Sequence, residues 1–265
     1  MSGSPFLRVP VGPDAHRWRT FPAERTLVVA ARTVTSTVRV LESLPPCCAT
    51  TPGERRLAHD PTSAFAAGVL DLLHASGCRV MPWEQLAHVK ADLVLTASEN
   101  VELPEGDCPV LVLPHGVGFQ KRVPDARGPH DRLSGLVPDA LLESGRAWLA
   151  VSHPDQERQP RRPPEDRGPH PPAGRPCFDE LLAGRPRRHA YREALGVSEG
   201  QRLVVVSSTW GTTSLLGRHP DLPVRLLGGL PHDEYRVAAV VHPNVWSAHG
   251  AWQIRALQSS ALDAG

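Results

Sequence analysis

The sequence predicts an α/β fold, with a helix-flanked parallel sheet in the N-terminal part and an incomplete second sheet of the same kind after it. Three observations carry this. Short apolar runs recur along the chain, at Thr26–Ala31, Asp92–Ala97, Pro109–Leu113 and Arg202–Ser208. Unbroken runs of β-branched residues and leucine read as strands buried on both faces. Helix-length segments separate them, the alternation that builds parallel sheets. Finally, two of the strand candidates run out directly at a histidine, His115 and His242. Open α/β sheets hold their ligands at that carboxyl edge.

Taken in order, residues 1–24 are rich in Pro, Gly and Arg without periodicity and are expected to form a loose leader. The N-terminal domain is expected over 25–152. It opens with the strand Thr26–Ala31 and a helix over Thr33–Leu44, with Val34, Val38 and Leu41 on its apolar face and Pro45-Pro46 as its stop. The sequence shows no convincing strand over Cys47–Pro61; Arg55-Arg56-Leu57-Ala58 is the sole candidate, so a strand of the sheet is expected to be missing near residues 52–60. Ser63–Ser76 reads as an amphipathic helix capped by Ser63 and ended by Gly77. A short strand (Cys78–Met81), a short helix (Pro82–Val89), the strand Asp92–Ala97 and the strand before His115 follow. Arg122–Gly135 is expected as a polar loop, Pro138–Glu143 as a short helix and Ala147–Val151 as a strand.

The segment His153–Pro176 holds eight prolines in 24 residues, which forbids helix and ladder alike. It is expected as a linker, an insert or frameshifted sequence. Over 177–265 the pattern resumes: helices at Phe178–Ala183 and Arg187–Leu195, strand Arg202–Ser208, helix Pro223–Leu230, strand Tyr235–Val241 and helix Ala251–Leu262. Two strands cannot bury both faces of such architecture, so this part is expected to be a partial domain.

Composition narrows the function. A net charge of +1 gives no basic field for nucleic acid or anionic membrane. No run approaches the roughly 18 apolar residues of a membrane span, and the first twenty residues hold no apolar core of signal-peptide length. The cysteines at 47, 48, 78, 108 and 177 have neither disulfide-framework nor zinc spacing, which fits a reducing cytoplasm. No metal or cofactor site is expected.

The strongest chemical clue is Pro109–Lys121, PVLVLPHGVGFQK. A titratable imidazole at a strand end, beside glycines that let a ligand approach the backbone, suits acid–base chemistry. Gly116-x-Gly118-x-x-Lys121 has Lys where a dinucleotide fingerprint has its third glycine, and no helix pattern follows. Ser207-Ser208-Thr209-Trp210-Gly211 offers hydroxyls and backbone N–H groups at another strand end, suited to a phosphate or sugar, or to an ordinary turn. His242 repeats the placing of His115.

With these pieces in hand, the chain resembles the GT-B superfamily of two-Rossmann-domain glycosyltransferases, and most of all its CDP-glycerol glycerophosphotransferase-like branch. Four matches carry the likeness: His115-Gly116 with Lys121 (one place late), Gly174-x-Pro176 with Phe178-Asp179, Ser208-Thr209-Trp210 (Ser where the family has Pro), and His242-Pro243. The resemblance implies two Rossmann-like domains, the second incomplete. It implies His115 as general base, with Gly116, Gly118, Lys121, Ser208, Thr209 and His242 binding substrate. The partner it implies is a nucleotide-activated sugar or polyol phosphate donor. The expectation is of a truncated copy, in which half a ligand cleft supplies only part of the contacts catalysis needs. The alternative of a different class is a non-catalytic α/β binding domain or degenerate paralogue.

Overall fold

A computed structural model describes residues 8–20, 23–48, 53–77, 79–103, 106–114, 116, 121–124, 131–134, 138–150 and 176–262. Of residues 45–48, 121–124, 131–134, 139, 176 and 257–262 only the backbone is described. The chain packs as two compact units, Met1–Cys177 and Phe178–Gly265.

The first unit is built on six parallel strands: β1 (Arg25–Ala31), β2 (Gly53–His59), β3 (Val80–Met81), β4 (Leu93–Thr96), β5 (Val110–Val112) and, after an intervening hairpin, β8 (Ala147–Leu149). Their order across the sheet is β3-β2-β1-β4-β5-β8. The order runs one way from β1 to β3 and the other way from β4 to β8, so the switch point lies between β1 and β4. Alternate residues serve opposite faces. Val28, Ala30, Ala58, Val94, Val110 and Val112 belong to one core layer, while Val29, Ala31, Leu57, Leu95 and Leu113 belong to the other. Helices α1 (Val34–Cys48) and α2 (Val69–Ala75) cover the second face through Val40, Val69 and Leu73. Each fully buried Val or Leu here contributes about 1.5–3 kcal/mol.

The expected gap near residues 52–60 is corrected: β2 is there, paired along its whole length with β1. Its sequence, GERRLAH, hides the strand because Arg55 and Arg56 interrupt the apolar run. Arg56 is nevertheless buried. Its guanidinium donates to Pro10 O at 3.0 Å and pairs with Glu54 at 2.9 Å, and Glu54 in turn meets Arg19 at 2.6 Å. Partners for this charged face come from residues 8–19, where the composition suggests a loose leader. They instead form a 3-10 turn over Pro13–Trp18 and anchor at Val9, whose N–H and C=O both bond the Gln85 amide.

Three smaller expectations change. The helix starting after Thr33 runs on through Pro45-Pro46 to Cys48, because prolines so near its end deprive only the carbonyls four residues back of partners. The helix expected from Ser63 begins at Val69; Ser63 instead organises a turn, accepting from Phe65 N at 3.1 Å. The expected polar loop over 122–135 contains an antiparallel hairpin, β6 (Lys121–Pro124) with β7 (Asp131–Ser134). Each of its strands carries one aliphatic side chain, Val123 or Leu133, so no period shows in sequence. A short helix α3 (Asp139–Glu143) leads into β8. The Pro-rich stretch 153–175 lies outside the described residues.

In the second unit, α4 (Pro176–Gly184) and α5 (Arg188–Ala194) precede a parallel pair, β9 (Arg202–Ser208) and β10 (Tyr235–Val241). The crossover between them holds α6 (Leu215–Arg218) and α7 (Leu222–Gly229), and α8 (Pro243–Leu262), kinked at Gly250, comes after β10.

Candidate functional site

At the carboxyl edge of the first sheet, β1, β2 and β4 hand over to segments rich in polar residues. After β1 come Arg32 and Thr33. Thr33 caps α1: its Oγ1 accepts from Ser36 N at 3.2 Å while its own N donates to Ser36 Oγ at 3.0 Å. This reciprocal cap fixes where α1 starts. After β2 comes Asp60, wholly buried. Its carboxylate takes Arg32 Nη1 at 2.6 Å on one oxygen, and Thr62 N at 2.9 Å and Thr62 Oγ1 at 2.7 Å on the other. A carboxylate can be buried at this depth because a cation and two further donors surround it.

After β4 come Ala97, Ser98, Glu99 and Asn100. Thr96 Oγ1 donates to Ala30 O at 3.1 Å and accepts from Ser98 N at 3.2 Å, locking the turn over the switch point. Glu99 is 3% exposed and accepts from Asn100 Nδ2 at 3.1 Å. Among the described residues, seven of the twelve buried polar ones cluster at this end of the sheet: Ser36, Thr37, His59, Asp60, Thr96, Ser98 and Glu99. Burial lowers the pKa of His59 from its ordinary value, the carboxylate of Asp60 opposing in part.

β5 is buried as its run of apolar residues implies, Val110 and Val112 fully, and it carries the chain to Leu113 and Pro114. His115 and Gly118 lie outside the described residues. Gly116 sits in a bend, half-buried, and Lys121 opens β6 opposite Ser134.

The second unit brings two other expected residues together. The β9–β10 register sets Ser208 beside Val241, so Thr209 and His242 both come immediately after, at the same carboxyl edge. Ser208 and His242 already serve local structure. Ser208 Oγ is buried, accepts from Leu216 N at 3.1 Å and donates to Thr209 O at 3.1 Å, holding the turn into α6. His242 Nδ1 accepts from Asn244 N at 3.1 Å, capping α8. Thr209 is exposed. An open groove of about 580 Å³, lined by Arg188, His189, Arg192 and Glu199 among others, lies toward the opposite end of β9, where Arg192 donates to Gln201 O at 2.6 Å. It does not reach the edge that carries Ser208.

His59 and Asp60 escape sequence reasoning because β2 does; Arg32, Ser98 and Glu99 follow the expected strands β1 and β4, and their partners or burial come only with the fold. One signal is present: Asp60-Pro61-Thr62 is an Asx-turn sequence, in which the aspartate bonds its own backbone two residues on.

No protein-family model matches the chain, and no match is found among curated proteins. The fold therefore supplies the class: an α/β protein with a Rossmann-like parallel sheet. Among the described residues, no helix is long and apolar enough to cross a membrane.

Proposed function

We propose that the chain is a GT-B-like transferase, moving a glycosyl or glycerophosphate group from a nucleotide-activated donor to an acceptor hydroxyl in the cytoplasm. The observation that supports this reading is the repeated delivery of polar residues at the ends of parallel strands. β5 leads into His115-Gly116, β9 into Ser208-Thr209 and β10 into His242-Pro243. In the proposed reaction His115 takes the proton of the acceptor hydroxyl as its oxygen attacks the donor's anomeric carbon or phosphorus. The bond to the nucleotide breaks, and the leaving phosphate carries away the electron pair. Thr209 and the backbone beside it hold that phosphate, with His242 at its side.

A second reading, a non-catalytic α/β binding domain, draws on a specific observation: Ser208 and His242 both serve the fold, as a turn anchor and a helix cap. Calorimetric titration with CDP-, UDP- and GDP-linked donors separates the two. The transferase reading expects saturable heat with one nucleotide class and a weaker affinity in Thr209→Val. Absence of heat with all three leaves the binding domain.

A further inference from the structure

His59 is the last residue of β2 and only 6% exposed, yet neither Nδ1 nor Nε2 has a hydrogen-bond partner among the described residues. Buried polar groups are nearly always paired, so an imidazole orphaned at both nitrogens needs a physical account. Strand alternation puts it on the same face as Leu57 and beside Ala31, in the layer covered by α1 and α2. That seat is tolerable for a neutral ring and costly for a cation.

The charged groups around it do not offset that cost. Asp60, the next residue, pulls toward the protonated form, but its carboxylate is already shared between Arg32 and Thr62. The first turn of α1 carries no acid. On α2, Asp71 and His74 are exposed; on the 3-10 turn Trp83–His88, Glu84 and His88 are exposed. Glu99 comes after β4, on the far side of β1.

The segment after His59 is anchored at Asp60 and Thr62 by Arg32, and lightly held beyond them. The amides of Asp60, Thr62, Phe65 and Ala66 donate to Ala31 O, Asp60 Oδ1, Ser63 Oγ and Ser63 O, and most of the segment to Gly68 is exposed or half-buried. Segments with few buried contacts open at low free energy.

We infer that His59 is an acid-sensitive latch: taking up a proton draws its ring out of the core and releases the segment Asp60–Gly68 from the carboxyl edge of the sheet. Linkage sets the sign. The ring in its buried seat titrates below the ordinary value of 6.5, so the open form binds the proton more readily. Opening is then favoured as pH falls below 6.5, and levels off once pH passes the buried ring's own value.

The test is amide hydrogen exchange on the full chain, corrected for intrinsic rates, from pH 7.5 to about 5. Protection of Asp60, Thr62, Phe65 and Ala66 is expected to fall below pH 6.5, by up to about tenfold per pH unit for one coupled proton. In His59→Leu, which fills the seat without titrating, protection of these amides is expected to be flat with pH. His59→Gln, also non-titrating, serves if the leucine variant does not fold. A flat profile in the unaltered chain overturns the latch, as does an unchanged acid response in whichever variant folds.

Discussion

Arg32 and Asp60 meet across the carboxyl ends of β1 and β2, Nη1 to Oδ2 at 2.6 Å, with the aspartate side chain fully buried and the arginine 16% exposed. The contact ties the first βα turn to the end of the second strand, beside the switch point of the sheet. Removing one partner of such a pair is worse than removing both, because the survivor is left charged and undersolvated.

Asp60→Ala is therefore expected to destabilise the chain by about 3–5 kcal/mol. Arg32→Met combined with Asp60→Ala should recover part of that loss. Urea midpoints of the single and double variants, at an unchanged denaturant slope, give the coupling directly. Additive losses mean that the contact carries no coupling.

His242 and Ser208 can be separated into fold and ligand roles. Asn caps helices well, so His242→Asn is expected to keep the stability of the second unit, whereas His242→Ala loses about 1 kcal/mol with the Asn244 bond. If His242 also touches a donor phosphate, the Asn variant binds donor more weakly at unaltered stability, read by calorimetry against thermal melting. Ser208→Ala, which strips the acceptor from Leu216 N, is expected to cost about 1 kcal/mol and leave donor affinity as it was.

Two glycines of the same crossover should respond in opposite directions. A Cβ on Gly217 would press into the carbonyl oxygen of Gly211 and lie 2.9 Å from that of Thr212, backbone atoms that cannot swing aside. Gly217→Ala is expected to lose about 1–3 kcal/mol. Gly228, within α7, has no described atom within 4 Å of the same position and needs no positive φ. Gly228→Ala should gain about 0.5–1 kcal/mol, by reducing the freedom of the unfolded chain. Melting temperatures of the two variants measured together check the sign of each.

Asp92 gives a pH signature of its own. Its carboxylate accepts from Thr26 N at 2.8 Å and pairs with Arg25 at 2.9 Å, which hold its pKa below the ordinary 3.8, the backbone bond first. A folded value below the unfolded one stabilises above pH 3.8, and that stability drains away as pH falls through the lower, folded value. The side chain is 39% exposed, so solvent screening trims the effect to about 1 kcal/mol or less. Asp92→Ala should be weaker than the unaltered chain at pH 7 and converge with it in strong acid, as followed by urea midpoints across pH.

Much of the frame is legible in sequence. β1, β4 and β5 show as apolar runs because a strand buried on both faces is apolar at nearly every position; β9 and β10 show by the same signal, although Val205 and Val240 on them are exposed. Gly77 and Gly196, at φ 71° and 66°, end helices where their lack of a Cβ says they should. β2 is not legible: Arg55 and Arg56 read as solvent-facing until Pro10, Arg19 and Glu54 are known to surround Arg56, and those partners come from 46 and 37 residues earlier in the chain or from its own strand. The hairpin β6–β7 escapes for a related reason, since its ladder is held by backbone groups that every residue shares.

The sequence by itself determined the α/β class of the protein and the strand end at which His242 stands, because the period of burial is written in side-chain type. Only the tertiary structure decided that β2 exists, that Asp60 and Arg32 close the rim together, that Ser208 serves its own turn, and that His59 is buried without a partner among the described residues. Those facts depend on which distant groups satisfy a charge or a hydrogen bond, and a residue's identity states what it can donate or accept but not who will answer it.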